Sequence, residues 1–512
     1  MQADDDLVSE LTRRDFLAVS GAAMAALSLA HLGPDGAPGN VQDTAREHAG
    51  APMTDSPASD PRALSLVELA SAIRLGTVSS EETVRSYLDR IAAVNPQLNA
   101  VVQLRHDAAI LEARAADRAP KAKRGRLHGV PVTIKDSLDT ADIISTGGTK
   151  GRAAYVPPVD STVVARLKAA GAIVLGKTNT PDLTLAFETN NLIYGRTNNP
   201  WNVARTPGGS SGGAAAIIAA GGSPLDIGSD TGGSIRVPSH FCGIAGIKPT
   251  AGRVSRAGHI IDYAGAAQSL THIGPLARRV DDLALALSII AGPDGVDPHV
   301  VRAPLGDHRK IAVRGLRVGY FANLGALRPT AETASAVEGA VRSLEKAGCS
   351  LQPFVIPAAD EIYSLYTGLL WSDGGAGIGR ILARWGTTES PLVDRIKAAT
   401  TEPSGDLTAR FERWDRWRSE MLHLFADLDV LICPVYVGPA PEHGTFARPS
   451  AAYTQAFDLT GWPSTVIRAG TSPEGLPIGV QCVAHSWRED VSLAVARHLE
   501  APPGTWPAPS GV

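Results

Sequence analysis

The sequence predicts an α/β fold in which a β-sheet is layered between α-helices. From Gly129 onward, short β-branched runs alternate with alanine-rich stretches of helical length, which is typical of strands and helices that follow one another along the chain. Of the 512 residues, 44% are hydrophobic, so the chain can bury a large core. The sequence has no internal repeat, which favours one folded domain over an array of small units.

The individual elements follow from the local pattern. Apolar residues at helical spacing predict three early helices, near residues 65–75, 80–94 and 108–119. Serines and glutamates at the start of the second helix supply a cap and an acidic first turn. In the alternating region, strands are predicted at 130–134, 172–175 and 224–227, and helices at 161–170, 212–220 and 281–291.

The later part of the chain is interrupted by a less regular stretch. Residues 300–430 hold four of the eight tryptophans and have no clear alternation. Sheet and helix patterns then return, with strands at 428–434, 464–469 and 476–483 and a helix at 491–500. We therefore predict one domain over 63–505, with a core at about 125–300, a variable insertion at about 300–430 and a C-terminal core segment at about 430–500.

The N-terminus resembles a twin-arginine export signal. Arg13 and Arg14 precede Phe-Leu and a mild apolar stretch that ends at Ala30, too short for a stable membrane span. We predict a signal peptide over 1–30, cleaved after Ala30, and export to the periplasm or the extracellular space. An amphipathic N-terminal helix is the alternative. Residues 31–62 are rich in Gly, Pro, Ala, Asp and Ser and are predicted to form a flexible linker.

The composition excludes several classes of function. The net charge is −4 and no basic run interleaves with aromatic residues, so a nucleic-acid partner is not expected. The four cysteines are far apart and form no CxxC pair, so neither a zinc site nor a dense disulfide framework is expected. The sequence has no HExxH motif and no acidic ladder, so we expect neither a metal nor an organic cofactor.

Three residues carry the candidate chemistry. Lys135 ends an apolar run, Ser210 lies in a nest of glycines 75 residues later, and Ser234 follows two glycines after a further 24 residues. Glycine-rich backbone before a serine exposes N–H groups that can hold an oxyanion. Two serines and a lysine in such contexts indicate acyl transfer without histidine.

Other interpretations of these residues are weaker. The sequence over 208–212 satisfies the G-x-S-x-G nucleophile elbow, but Pro200 and Pro207 exclude the strand that the elbow needs. A phosphate-binding loop is not supported, because no Gly-Lys-Ser/Thr follows the glycines. Three histidines downstream of Ser234 are more typical of structural or pocket-rim residues than of a catalytic base: His240, His259 and His272.

Segments spread over most of the chain resemble those of one enzyme family. They are GVPVTIKD at 129–136, PGGSSGG at 207–213, GSDTGGSIRVP at 228–238, GIKPT at 246–250, GPLAR at 274–278, FDLTGWP at 457–463 and GLPIGVQ at 475–481. On these motifs the chain is similar to the amidase signature family over nearly all of residues 64–500. The central block is most similar to that of fatty acid amide hydrolases. The resemblance implies a three-layer α/β/α fold around a large mixed central β-sheet.

The resemblance also implies a role for each residue of the site. Ser234 is expected to be the nucleophile, Ser210 a bridging serine on a cis peptide, and Lys135 the base. A lysine accepts a proton when it is neutral, and burial lowers its pKa. The backbone N–H groups expected to form the oxyanion hole are those of Thr231, Gly232, Gly233 and Ser234. Three further residues are expected to support these groups: Ser211, Asp230 and Arg236. For Arg236 the role is either a structural ion pair or a contact with the substrate.

These inferences predict an exported amidase that hydrolyses a small-molecule carboxylic amide through an acyl-enzyme. An esterase or acyl transferase with the same triad is the first alternative. The second alternative is an amidotransferase subunit that modifies charged tRNA. Such subunits share all three motifs, but export would separate this chain from tRNA and from partner subunits. A binding protein that has lost catalysis is disfavoured, because Lys135, Ser210 and Ser234 are intact. A homodimer is left open.

The sequence says little about the substrate. The pocket is expected to be lined by segments near 180–205, 255–270, 360–390 and 435–460. Aromatic candidates for its walls are Phe187, Tyr194, Tyr263, Tyr366, Trp371, Tyr436 and Trp462. No arginine or carboxylate stands out as a group that binds a charged substrate.

Overall fold

A computed structural model describes residues 60–262, 265–502, 508–509 and 512. The predicted signal peptide, most of the linker and the candidate pocket residue Tyr263 lie outside the described residues. Thirteen strands are present in the described part of the chain: β1 Val101–Leu104, β2 Pro131–Lys135, β3 Ile173–Thr178, β4 Asn190–Asn191, β5 Gly195–Arg196, β6 Leu225–Asp230, β7 Ala245–Lys248, β8 His272–Ala277, β9 Arg317–Tyr320, β10 Ser350–Pro353, β11 Val430–Pro434, β12 Ser464–Thr471 and β13 Pro477–Ala484.

Fifteen α-helices accompany these strands in the same ranges. The first eight are α1 Leu66–Leu75, α2 Ser80–Leu98, α3 His106–Arg118, α4 Thr162–Ala169, α5 Gly212–Ala219, α6 Arg236–Cys242, α7 Ala266–Ser269 and α8 Val280–Ile290. The other seven are α9 Ala331–Lys346, α10 Ile362–Trp371, α11 Ala376–Arg384, α12 Pro391–Ala398, α13 Ser404–Leu424, α14 Ala452–Leu459 and α15 Glu489–Leu499.

The predicted α/β fold with a large mixed central sheet is confirmed. Eleven strands form one sheet in the order β1-β3-β2-β6-β8-β7-β12-β13-β11-β9-β10, and β4 pairs with β5 separately. Pairs such as β2–β3 and β2–β6 are parallel, whereas β6–β8 and β12–β13 are antiparallel. Every residue of β2, β6 and β13 is buried. Because successive side chains alternate between the two faces of a strand, both faces of the sheet are covered there.

The pairing of β2 with β6 positions the candidate site. The two strands are parallel neighbours, with Thr133 opposite Asp226 and Ile134 opposite Ile227. Parallel strands end at the same edge of a sheet. Lys135, the last residue of β2, is therefore brought to the edge at which β6 ends, just before the glycine turn that leads to Ser234.

Several elements differ from the sequence-based expectation. Strands β7 and β8 were not predicted, because their glycines and a proline lower the intrinsic strand propensity. Both lie inside the sheet, where pairing with neighbours on each side outweighs that propensity. The less regular stretch 300–430 contains five helices, α9 to α13, and two strands, β9 and β10, of which β10 forms one edge of the sheet.

Candidate active site

Lys135 lies at the centre of a cluster of hydroxyl groups. Its side chain is completely buried, and its Nζ is 2.7 Å from Ser210 Oγ, 2.9 Å from Ser211 Oγ and 2.9 Å from Ser229 Oγ. Burial lowers the pKa of Lys135 to about 7, although the negative charges of Asp230 and Asp226 act in the opposite direction. A large fraction of this lysine is therefore neutral near pH 7 and can accept a proton from a hydroxyl.

The glycine-rich segment before α5 brings Ser210 to the lysine. The Gly209–Ser210 peptide bond is cis. The backbone N–H of Ser211 donates to the carbonyl oxygen of Ser234 at 3.1 Å, which joins this segment to the turn after β6. Within the described residues, the Ser234 hydroxyl has no hydrogen-bond partner. A proton relay through Ser210 therefore requires the Ser234 side chain to turn towards Ser210.

The turn that carries Ser234 is organised by the carboxylate of Asp230. Its Oδ1 accepts the N–H of Gly233 at 2.6 Å, and its Oδ2 accepts the N–H of Ile235 at 3.0 Å. Of the four amides predicted to form the oxyanion hole, that of Gly233 is thus directed to a carboxylate. The amides of Gly232 and Ser234 donate to no protein acceptor within the described residues, so they are available to an oxyanion.

Arg236 binds Asp230 and so holds this turn in place. Its Nε is 3.0 Å from Asp230 Oδ2 and its Nη2 is 2.9 Å from Asp230 Oδ1, a bidentate arrangement between two completely buried side chains. The same guanidinium donates to Asp458 Oδ2 at 2.6 Å and to the carbonyl oxygen of Thr454 at 2.7 Å. Of the two roles that the sequence leaves to Arg236, the structure shows the ion pair with Asp230.

A cavity of about 330 Å³ opens in front of Ser234. Its walls are partly apolar and include residues from three of the four segments that are expected to line the pocket, those near 180–205, 360–390 and 435–460. Among the aromatic candidates, Phe187, Tyr366 and Trp371 line this cavity, whereas Tyr194, Tyr436 and Trp462 do not. Tyr363 and Phe446 also line it.

Three charged residues at this cavity were not identified from the sequence. Arg395 and Arg448 are exposed at its mouth, and Glu188 is half-buried in its wall. No carboxylate of the described residues forms a salt bridge with either guanidinium. The sequence offers no signal for this grouping, because the three residues are far apart along the chain.

The described ranges contain no group of three or more His, Cys, Asp or Glu side chains that could hold a metal ion. None of the helices described by the structure has the length and apolar character of a membrane span. The candidate histidine His240 is completely buried, accepts the N–H of Gly479 and contacts the carbonyl oxygen of Gly438. It is therefore a structural residue.

Comparison with known proteins places the chain in a family. Residues 82–493 match the family model described as Amidase. The chain is 33% identical over 482 residues to the A subunit of the glutamyl-tRNA(Gln) amidotransferase of Oleidesulfovibrio alaskensis, a match that covers 87% of this chain and 98% of that protein. The chain belongs to the amidase signature family. It is an enzyme of the group whose members act on C–N bonds as amidohydrolases or amidotransferases.

Two solved structures have a fold similar to that of this chain. A chain of a vestigial protein complex, described as revealing the evolutionary origins of an s-triazine catabolic enzyme, has a TM-score of 0.78 and 32% identity, over 85% of this chain and 98% of that chain. Fatty acid amide hydrolase has the same TM-score of 0.78 but 23% identity, over 86% of each chain. At that identity, the likeness to fatty acid amide hydrolase shows the shared fold alone.

The expectation of an exported amidase is wrong. The curated relatives at about 33% identity over most of the chain are amidotransferase A subunits, which favours the alternative that the sequence analysis ranked lower. The three catalytic motifs are common to both classes of enzyme and could not distinguish them. The amidase was ranked above the amidotransferase because Arg13 and Arg14 predict an export signal. That segment lies outside the described residues.

We expect a fluorophosphonate to label this enzyme at Ser234, because that hydroxyl faces the cavity and has the free amides of Gly232 and Ser234 beside it. Ser234→Ala should abolish the labelling, measured by mass spectrometry of the digested adduct. Labelling at Ser210 in the unmodified protein would contradict this assignment and favour the nucleophile-elbow interpretation.

We expect kcat/KM for an amide to rise with pH through about 7. Protonated Lys135 cannot accept a proton, and its pKa is lowered to about 7, so the neutral, active form grows as the pH increases through that value. In Lys135→Ala this ionisation should disappear from a pH–rate profile, whereas Lys123→Ala, which removes an exposed lysine, should leave it in place. The same profile in Lys135→Ala would exclude this lysine as the base.

Proposed function

We propose that this chain is the amide-hydrolysing subunit of an amidotransferase, and that its nitrogen donor is a small carboxamide that also bears a carboxylate, as glutamine does. The similarity to amidotransferase A subunits, over 98% of the length of one of them, supports the class of enzyme. The charged mouth of the cavity in front of Ser234 supports the class of donor.

The observation that carries the donor assignment is the pair of guanidiniums at the mouth. Partial burial, and then the like charge of Arg448, lowers the pKa of Arg395. Two positive charges that repel each other, without a carboxylate of the described protein between them, are complementary to a substrate carboxylate. Arg395 also stacks on Trp371, with its guanidinium carbon 3.7 Å from the ring centroid, which holds the cation at the cavity wall.

Glu188 supports a second feature of the proposed donor, an amino group. Both of its carboxylate oxygens accept the N–H of Gly444 at 3.0 Å, so the side chain is held in the cavity wall. A substrate amino group would find its counter-charge there. A cavity with two cations and one anion is complementary to a zwitterionic amino acid whose side-chain carboxamide reaches Ser234.

The proposed hydrolysis of the carboxamide uses the side chains and backbone amides of the candidate active site. Ser234 Oγ attacks the carboxamide carbon, and its proton passes through Ser210 to neutral Lys135. The amides of Gly232 and Ser234 hold the oxyanion that forms. The proton returns through Ser210 to the nitrogen, the C–N bond breaks and ammonia leaves. Water then hydrolyses the acyl-enzyme to the free carboxylic acid, so one amide and one water give one acid and one ammonia.

The proposal also implies a partner. The relatives of this chain are named as subunits, so the acceptor of the released ammonia is proposed to lie on another polypeptide. The isolated chain is expected to release ammonia from its donor amide without transferring it to an acceptor.

The test compares ammonia release from L-glutamine with that from butyramide, which has the carboxamide but neither charge. We expect glutamine to have the higher kcat/KM. Arg395→Ala should lower kcat/KM for glutamine by about tenfold or more, because a charge-assisted hydrogen bond is lost, and should leave butyramide unchanged. Arg380→Ala, which removes an exposed arginine of α11 that does not line the cavity, is the matched control.

Two outcomes would contradict the proposal. Equal kcat/KM values for glutamine and butyramide would show that the charges at the mouth do not select the donor. Equal losses for both amides in Arg395→Ala would show that the arginine supports the fold of the cavity wall rather than binding a carboxylate.

A further inference from the structure

Tyr366 is the only tyrosine among the described residues whose hydroxyl contacts the turn that carries Ser234. It lies on α10, within the less regular stretch of the sequence, and it lines the cavity in front of Ser234. Its side chain is almost completely buried. Its hydroxyl donates to the carbonyl oxygen of Thr231 at 2.7 Å. The contact therefore falls on the peptide unit that carries the N–H of Gly232, one of the four amides predicted to form the oxyanion hole.

Three successive peptide units of this turn have their carbonyl groups held. The Thr231 carbonyl accepts from Tyr366, the Gly232 carbonyl accepts from Thr454 Oγ1 at 2.7 Å, and the Gly233 carbonyl accepts from the N–H of Val237 at 2.7 Å. A trans peptide unit is planar, and its N–H points opposite to its carbonyl. Holding a carbonyl therefore also sets the direction of the N–H in the same unit.

The N–H groups of these three peptide units differ in their hydrogen-bond partners. The unit held by Thr454 carries the N–H of Gly233, which donates to Asp230. The units on either side carry the N–H groups of Gly232 and Ser234, which have no protein acceptor within the described residues. The carbonyl in the Ser234 unit is held by backbone, whereas the carbonyl in the Gly232 unit is held by a side chain from the cavity wall.

We propose that Tyr366 is a positioning residue of the reaction: by holding the Thr231 carbonyl, its hydroxyl aims the N–H of Gly232 at the oxyanion that forms when Ser234 attacks. Tyr366 does not touch the reacting atoms through this bond, because its proton is directed to the backbone. The inference rests on Ser234 as the nucleophile, but it does not depend on which amide is the substrate.

The absence of a side chain at Gly232 fits this role. A Cβ at this position would lie 2.7 Å from Tyr366 Oη and 3.0 Å from its ring carbon Cζ. The backbone there does not have a positive φ, so the requirement for glycine comes from the close approach of the tyrosine. The phenol and the peptide unit are thus packed directly against each other.

The first experiment is Tyr366→Phe, which removes the hydroxyl and keeps the ring. We expect kcat to fall by about 10- to 100-fold, somewhat less than the loss of a complete oxyanion-hole donor, while KM changes little. The rise of the rate with pH through about 7 should persist, because Lys135 is not involved. Inhibition by a boronic acid, which forms a tetrahedral anionic adduct, should weaken by the same factor as kcat.

Tyr453→Phe is the matched control. Tyr453 is also completely buried, and its hydroxyl also donates to a backbone carbonyl, that of Ala322 at 2.8 Å, but it does not line the cavity. This variant should lose a comparable amount of thermal stability and keep its kcat. A kcat within twofold of the unmodified enzyme in Tyr366→Phe, or a loss confined to KM, would overturn the proposal.

A second variant tests the same contact from the side of the backbone. Gly232→Ala places a methyl group against the tyrosine hydroxyl and should lower kcat in the same way. In the double variant with Tyr366→Phe the two losses should not multiply, because both act on one peptide unit. Fully multiplicative losses would contradict a shared origin.

Fluorophosphonate labelling separates this inference from the proposed function, because it needs Ser234 and the oxyanion hole but no particular amide. We expect Tyr366→Phe to slow labelling of Ser234 about tenfold. Slower labelling in a protein that does not hydrolyse glutamine would support Tyr366 and contradict the proposed donor. Unchanged labelling would overturn the role of Tyr366, whatever the donor is.

Discussion

The buried ion pair between Asp230 and Arg236 is the interaction on which the rest of the candidate site depends. Neither side chain is exposed, and the carboxylate also accepts backbone N–H groups from the turn that carries Ser234. Burial acts to raise the pKa of Asp230, but the charge and hydrogen bonds of Arg236 hold it below its usual value. Removing one partner would leave an uncompensated buried charge, which typically costs about 3–5 kcal/mol.

Arg236 extends this constraint to the C-terminal part of the chain. Through Asp458 and the Thr454 carbonyl, it ties the nucleophile turn to α14. Tyr366 ties the same turn to α10 in the cavity wall. The turn is therefore held from both sides by elements that are distant in sequence. A change in the cavity wall can therefore reach the peptide unit of Gly232 through one hydrogen bond.

Much of the fold and of the chemistry could be predicted because the signals are local. The apolar run before Lys135 and the glycines around Ser210 and Ser234 are contiguous in sequence, and they carry the family resemblance that the comparisons confirm. Strands such as β7 could not be predicted, because a short segment with glycine is held by its partners in the sheet. The class of enzyme was ranked wrongly, because motifs shared by amidases and amidotransferases describe the reaction and not its acceptor.

The sequence by itself determined the α/β fold class, the family and the residues expected to perform acyl transfer, since each is encoded in a short pattern whose physical meaning is local. The tertiary structure decided which groups face one another. It turned the Gly233 amide towards Asp230, placed Tyr366 on the Thr231 carbonyl and gathered Arg395, Arg448 and Glu188 around one cavity. These arrangements join residues far apart along the chain, and their directions are set by packing and peptide geometry, which no local pattern records.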